Sequence, residues 1–82
     1  MVQQTSQFNA DHVLDVKNQL CPLPVIKASE VIQALASGQV LHILATDPGS
    51  KADIPAWAEA LGHKLLKQEA ANGVFEYWVQ KG

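Results

Sequence analysis

The sequence predicts an α+β fold in which two helices cover one face of a β-sheet. Short strand-like runs alternate with segments of helical periodicity in the order β-α-β-α-β-β. The first strand, the first helix and the second strand together have the length of a parallel βαβ unit. The 82 residues suffice for one domain, which we expect at residues 12–82 behind a polar, flexible tail at residues 1–11.

The N-terminal half of the chain contains the predicted βαβ unit. Alternating residues predict a strand over 12–17, and apolar residues at helical spacing predict a helix over 22–37. A nearly continuous apolar run predicts a central strand over 40–46. Asn18 tolerates a left-handed turn after the first strand, and Gly38 is the expected C-terminal cap of the helix.

The second helix has two possible starting points. Residues 47–50 break the preceding strand, and a capping-box pattern places the N-cap at Ser50. Pro55, however, fits a first helical turn only if Asp53 is the N-cap, so both starts remain open. Gly62 is expected to end the helix.

The C-terminal residues predict a β-hairpin. Strands over 64–69 and 74–80 flank a turn at 71–73 that contains Asn-Gly. Alternation in the last strand sends Phe75, Tyr77 and Val79 to one face and Trp78 to the other. Trp78 then either packs within the fold or contacts a partner.

Cys21 is the only cysteine of the chain and stands in the run Cys-Pro-Leu-Pro. Pro22 and Pro24 suit a first helical turn, where backbone amides lack intrahelical partners. If Cys21 is the N-cap, its sulfur faces the amide of Leu23 and the positive end of the helix dipole, which favour the thiolate. The alternative is a small, inert residue buried at a strand–helix junction. The local residues leave both readings open.

The topology predicts a functional edge. Both helices follow parallel strands, so their N-termini meet at the carboxyl edge of the sheet, where open α/β sheets place their chemistry. This brings Cys21 towards the loop of Asp47 and Pro48. Asp15 and Asp47 act either as turn acceptors or as carboxylates of the site. Three lysines can surround the thiol and attract an acidic partner, or simply face solvent: Lys17, Lys27 and Lys51.

Composition argues against several functional classes. The net charge is −2 and every basic residue is a lysine, so direct nucleic-acid binding is not expected. No run is long and apolar enough for a membrane helix, no signal-peptide pattern is present, and one cysteine suits a reducing compartment, so we expect a cytoplasmic protein. The spacing of His12, His42 and His63 matches no familiar metal motif, and neither a metal nor an organic cofactor is expected.

The motifs resemble the TusA/SirA-like sulfur-carrier (sulfurtransferase TusA) family over about residues 13–81. The resemblance is carried by Asp15, the run Cys21-Pro22-Leu23-Pro24-Val25-Ile26-Lys27-Ala28, Gly38, Thr46-Asp47-Pro48-Gly49, Asp53-Ile54-Pro55-Ala56-Trp57 and Gly62-His63.

This resemblance implies a two-layer α/β sandwich with a mixed four-stranded sheet and two helices on one face, similar to the C-terminal domain of translation initiation factor three. It implies that Cys21 accepts sulfane sulfur as a persulfide from a cysteine desulfurase or rhodanese-type donor and hands it to an acceptor thiol. The chain is then a sulfurtransferase-type carrier without a cofactor, expected as a monomer. The sulfur is destined for tRNA thiolation, cofactor biosynthesis or sulfur oxidation.

One departure from the family bears on partner choice. Many members carry Arg-Gly-Leu where this chain has Lys17-Asn18-Gln19.

Two other functions remain open beside the sulfur relay. One is a non-catalytic interaction module that docks through the first helix and Trp78. The other is a redox sensor that forms a sulfenic acid on Cys21.

Overall fold

The computed structural model describes residues 10–20 and 23–82. Within these residues the chain forms a four-stranded sheet and two helices. Cys21, Pro22 and most of the predicted tail, residues 1–9, lie outside the described residues. The elements are β1 His12–Val16, α1 Leu23–Gln33, β2 Val40–Ala45, α2 Ser50–Ala60, β3 Lys64–Ala71 and β4 Val74–Gln80.

The sheet is mixed, with the strand order β1-β2-β4-β3. β1 and β2 are parallel, whereas β4 runs antiparallel to both β2 and β3. The predicted element order, the parallel βαβ pair and the central position of β2 are therefore confirmed. Neither α1 nor α2, the helices of the described chain, is long and apolar enough to cross a bilayer.

Both helices pack on the same face of the sheet. Alternate strand residues supply the sheet side of the core, among them Ile43 and Tyr77, both fully buried. α1 contributes Ala28 and Ile32, which lie one turn apart, and α2 contributes Ile54. Among the described residues, the opposite face of the sheet carries no helix, so this part of the chain is the two-layer sandwich that the family resemblance implied.

α1 ends earlier than predicted. The expected end at Ser37 with Gly38 as its cap is wrong, because the last helical residue is Gln33. The amides of Ala34 and Leu35 bond to carbonyls three residues back, which tightens the chain and ends the α-helical ladder. Gly38 instead lies in the following turn with φ of +91°.

α2 begins without a side-chain cap. Gly49 is the N-cap, with φ of −62° and ψ of −24°, so neither Ser50 nor Asp53 fills that role. Ser50 is the first helical residue, and its hydroxyl bonds to buried Tyr77 instead of to the backbone. The end at Gly62 is confirmed: the amides of Gly62 and His63 close a Schellman motif on the carbonyls of Glu59 and Ala58.

The hairpin turn is confirmed with a small change of boundaries. β3 extends to Ala71, so the turn consists of Asn72 and Gly73, with φ of 55° and 79°. Two successive residues of positive φ match the turn that joins twisted antiparallel strands most readily.

Candidate functional site

β1 and β2 end side by side at the carboxyl edge of the sheet. Val16 pairs with Ala45 in the last step of the parallel register. Just beyond, Asn18 has the predicted left-handed conformation, with φ of 67°, and its amide donates to Oγ1 of Thr46 at 2.8 Å. The loop that leads to Cys21 is thus fastened to the loop after β2, as the topology predicted.

The residues on both sides of Cys21 and Pro22 are held by the fold. Before them, the amide of Gln19 donates to the carbonyl of Val16 at 3.2 Å. After them, the amide of Leu23 donates to the carbonyl of Leu20 at 2.9 Å, so the expectation that this amide is free to face the sulfur of Cys21 is wrong. Pro24 is fully buried in the first turn of α1. The chain therefore enters and leaves the cysteine position along a defined path.

Three large apolar side chains around this position face solvent. Leu20 is 72% exposed, Leu23 is 45% exposed and Ile26 is 47% exposed. None of these three side chains was predicted to be a site residue. A signal was present, however, because Leu23 and Ile26 lie outside the apolar stripe of α1 and are surplus to the core.

Gln19 carries a buried atom without a partner. Its Oε1 is shielded from solvent and accepts no hydrogen bond from the described residues. Such an acceptor costs free energy relative to a paired one. The departure predicted at residues 17–19 therefore includes a polar atom that is shielded from solvent without a partner among the described residues.

Asp15 shapes the turn after β1. Its Oδ1 accepts the amide of Lys17 at 3.0 Å, and its Oδ2 lies 3.7 Å from Nζ of the same lysine. These contacts make Asp15 a turn acceptor. They also leave Lys17 with a partly neutralised charge.

The loop of Asp47 and Pro48 forms the entry to α2. The carbonyls of these two residues accept the amides of Ser50 and Lys51 at 3.0 and 3.1 Å. The Ser50 hydroxyl lies 2.8 Å from the Tyr77 hydroxyl in the core. Burial raises the pKa of Tyr77, and the bond to Ser50 opposes part of that rise. This loop is therefore anchored to the interior of the sheet.

The remaining lysines of the predicted site lie on the helices. Lys51, near the start of α2, has its Nζ 5.5 Å from the centroid of the Phe75 ring. Lys27 is exposed on α1, four residues after Leu23 and on the same side of the helix.

Trp78 lies away from this edge, on the helix-free face. It is only 8% exposed, because His42 stacks on it with ring centroids 4.3 Å apart and Nζ of Lys67 lies 5.3 Å from its ring. Nε2 of His42 is also 2.8 Å from Oε1 of Glu76. Trp78 thus packs within the fold and offers little area to a partner.

The three histidines do not converge. His12 begins β1 and His63 precedes β3, so both lie at the edge opposite the start of α1, whereas His42 lies on the helix-free face. Burial lowers the pKa of His63, and the charge of Lys81 lowers it further. In residues 10–20 and 23–82, no three His, Cys, Asp or Glu side chains are grouped to hold a metal.

The fold defines a class of small two-layer α/β sandwich. At the carboxyl edge of its sheet, the residues that flank the single cysteine in the sequence expose large apolar side chains to solvent. No pocket is present in the described part of the chain. The chain belongs to the sulfurtransferase TusA family, whose model matches residues 12–81.

Relatives of known name agree with this assignment. The chain is 41% identical over 75 residues to the putative sulfur carrier protein YrkI of Bacillus subtilis, covering 92% of this chain and 100% of that protein. It is 41% identical over 71 residues to the sulfur carrier protein TusA of Allochromatium vinosum, covering 87% and 93%. A SirA-like protein of Desulfitobacterium hafniense has a crystal structure that aligns with a TM-score of 0.75 at 29% identity, covering 87% of this chain and 97% of that one.

Proposed function

We propose that this chain is a sulfur carrier that holds sulfane sulfur as a persulfide on Cys21. The family match along residues 12–81 carries the proposal. The residues that flank Cys21 in the sequence support it, because Gln19 and Leu23 are hydrogen-bonded at the carboxyl edge while the side chains of Leu20 and Leu23 face solvent. An open edge suits a thiol that must meet other proteins.

Loading is a thiol–persulfide exchange. The Cys21 thiolate attacks the outer sulfur of a donor persulfide, a new S–S bond forms on Cys21, and the donor cysteine leaves as a thiolate. The proton on the outer sulfur is transferred together with that sulfur or is exchanged with water. Sulfane sulfur changes hands without net oxidation or reduction, so the step needs no redox cofactor.

Discharge is the same reaction in reverse order. An acceptor thiolate attacks the outer sulfur, the S–S bond on Cys21 breaks, and Cys21 leaves as a thiolate. Cys21 stands two residues before the first residue of α1, where the positive end of the helix dipole favours an anionic sulfur. The same environment therefore aids both attack and departure.

A carrier needs a donor and an acceptor protein. We propose a cysteine desulfurase or a rhodanese-type protein as the donor and a protein with a reactive cysteine as the acceptor. The sulfur then goes to tRNA thiolation, cofactor synthesis or sulfur oxidation. Alignment of the two sulfur atoms must come from the partner surfaces, since catalysis here depends on position.

Mass spectrometry tests the proposal. The intact chain is incubated with a cysteine desulfurase and cysteine, and in parallel with glutathione persulfide. We expect a gain of one sulfur atom per chain, mapped to the peptide of Cys21 and removed by dithiothreitol. The Cys21→Ser variant is the control and should gain none. An unmodified Cys21 after both treatments would contradict the proposal.

A further inference from the structure

Three consecutive backbone amides after β1 are hydrogen-bonded, and their partners are of two kinds. The amides of Lys17 and Gln19 donate to acceptors on residues 15–16, at 3.0 and 3.2 Å. The amide of Asn18 donates instead to Oγ1 of Thr46, 28 residues later in the chain, at 2.8 Å. The two local bonds shape the turn, whereas the bond to Thr46 fixes that turn against the loop after β2.

Thr46 makes this bond from the position that directly follows β2. The last pair of the parallel register joins Val16 of β1 to Ala45 of β2. A side-chain oxygen therefore continues the connection between the two strands where their backbone pairing has ended. The distance of 2.8 Å lies at the short end of the usual range for an amide donor, and the bond of the neighbouring Gln19 amide is longer at 3.2 Å. Thr46 is thus the firmer of the two holds on this turn.

Asn18 has a backbone conformation that needs such a hold. Its φ of 67° lies in the left-handed region, which costs free energy for residues other than glycine, although asparagine tolerates it better than most. Such conformations persist where neighbouring contacts fix them. The bond to Thr46 is a contact of this kind, and it lies three residues before Cys21 and five before the first residue of α1.

Thiol–persulfide exchange depends on placement, because the attacking, central and leaving sulfur atoms must be aligned. We infer that Thr46 is a positioning residue for the sulfur chemistry of Cys21: its hydroxyl accepts the Asn18 amide and so fixes the segment that leads to the thiol. The inference rests on the proposed carrier function. It adds a residue from the loop after β2 that acts on this chemistry through the backbone of Asn18.

The variants Thr46→Val and Thr46→Ser isolate the hydroxyl. Valine has the shape of threonine but no acceptor, whereas serine keeps the oxygen. Thr46 is half-buried, so we expect both variants to fold, which circular dichroism checks. The Asn18 amide should exchange with solvent deuterium about tenfold faster in Thr46→Val than in wild type, because it has lost its acceptor. Its exchange in Thr46→Ser should match wild type, and NMR measures both.

Two reactions then report the placement of the thiol. The first is alkylation of Cys21 by iodoacetamide, followed as a function of pH. We expect Thr46→Val to react about fivefold more slowly at neutral pH and to reach half of its maximal rate at a higher pH, because a loosely held thiol spends less time near the positive end of the α1 dipole. The second reaction is loading by glutathione persulfide, which should slow by a similar factor. Thr46→Ser should behave as wild type in both.

Neither charge nor global stability accounts for such a result. The residues compared at position 46 are all neutral, and a small loss of stability leaves the pH profile of the folded protein unchanged. The charged residues around the ends of β1 and β2 and the starts of both helices also stay the same: Asp15, Lys17, Lys27, Asp47, Lys51 and Asp53. The matched control is Ser37→Ala. It removes a hydroxyl that donates to the carbonyl of Gly82 at 2.8 Å at the opposite edge of the sheet, and should leave both reactions unchanged.

The outcomes separate this inference from the carrier function. If Thr46→Val does not fold, Thr46→Ala, which also lacks the hydroxyl, takes its place. An unchanged Asn18 exchange rate, equal rates and pH profiles of Cys21, or an equal slowing in Thr46→Ser would overturn the inference, and the carrier function would stand as long as wild type takes up sulfur. If wild type takes no sulfur from glutathione persulfide or from a cysteine desulfurase, the carrier function fails. The alkylation comparison then still decides whether Thr46 positions the thiol.

Discussion

The two helices begin at the same edge of the sheet, yet their first residues are held in opposite ways. α2 starts at Ser50, which is buried and bonded to Tyr77 in the core. α1 starts at Leu23, which is nearly half exposed, next to Leu20, which is more exposed still. One start is tied to the interior, and the other presents apolar side chains to solvent.

The starts of the two helices therefore have different roles at this edge of the sheet. The α2 start supports the frame, because its hydroxyl pair and the carbonyls of the preceding loop fix it to β4 and to its own first turn. At the start of α1, the apolar side chains of Leu20 and Leu23 are exposed on the surface, where they contribute little to the free energy of folding. Leu20 and Leu23 flank the single cysteine in the sequence and add little to stability, so they are available to bind a partner.

Isoleucine deletions in the two helices should give the largest contrast. Ile54→Ala empties a fully buried position in α2 and should lower the free energy of unfolding by about 2–5 kcal/mol. Ile26→Ala trims an exposed position in α1 and should stay within about 0.5 kcal/mol of wild type. Urea denaturation measures both. A loss of similar size in the two variants would show that Ile26 is part of the core.

Breaking the Ser50–Tyr77 pair should have an intermediate effect. Ser50→Ala leaves the Tyr77 hydroxyl buried without its partner and should cost about 1–3 kcal/mol. The double variant Ser50→Ala/Tyr77→Phe removes both polar groups and should recover part of that loss. Additive losses in the double-mutant cycle would mean that the two hydroxyls do not interact.

The pKa of Tyr77 gives this test a second readout. Burial raises that pKa in the folded state, so the neutral phenol is favoured by folding. The stabilisation is complete below the unfolded pKa of about 10 and is lost as the pH rises from there through the folded pKa. Tyr77→Phe lacks this group, so its stability relative to wild type should improve at alkaline pH.

Replacing Gln19 by leucine should have the smallest effect, and in the opposite direction. Gln19→Leu removes the unpartnered buried oxygen at the α1 side of the edge and should raise the free energy of unfolding by about 1 kcal/mol. Gln33→Leu, at an exposed position in α1, is the matched control and should be nearly neutral. A destabilised Gln19→Leu variant would mean that the amide makes interactions that outweigh its buried oxygen.

The element order was predictable because it depends on local signals. Periodicity distinguishes strands from helices, and Asn72-Gly73 has the positive φ values that its sequence favours. The end of α1 was not predictable in this way, since three apolar residues after Gln33 continue the helical spacing. The bonds of Ala34 and Leu35 to carbonyls three residues back end the helix there, and apolar spacing does not report such bonds.

The candidate site, like the fold, was predictable only where it depends on local signals in the sequence. Cys21, the two prolines and the Asp47–Pro48 loop were predicted as site residues from residue types and spacing, and the parallel pairing of β1 and β2 explains why the loops after these strands share an edge. Whether a given apolar side chain is covered depends on neighbours from distant parts of the chain. The sequence left Trp78 open between packing within the fold and contacting a partner, and His42 from β2 and Lys67 from β3 cover it.

The sequence by itself determined the family, the order of elements and the position of the single thiol before α1, because motifs and periodicities are properties of neighbouring residues. Only the tertiary structure decided which apolar residues remain exposed, that Ser50 bonds to Tyr77 instead of capping α2, and that Gln19 buries an unpartnered oxygen. Burial and hydrogen bonding depend on which elements pack together. That choice is made by the whole chain when it folds.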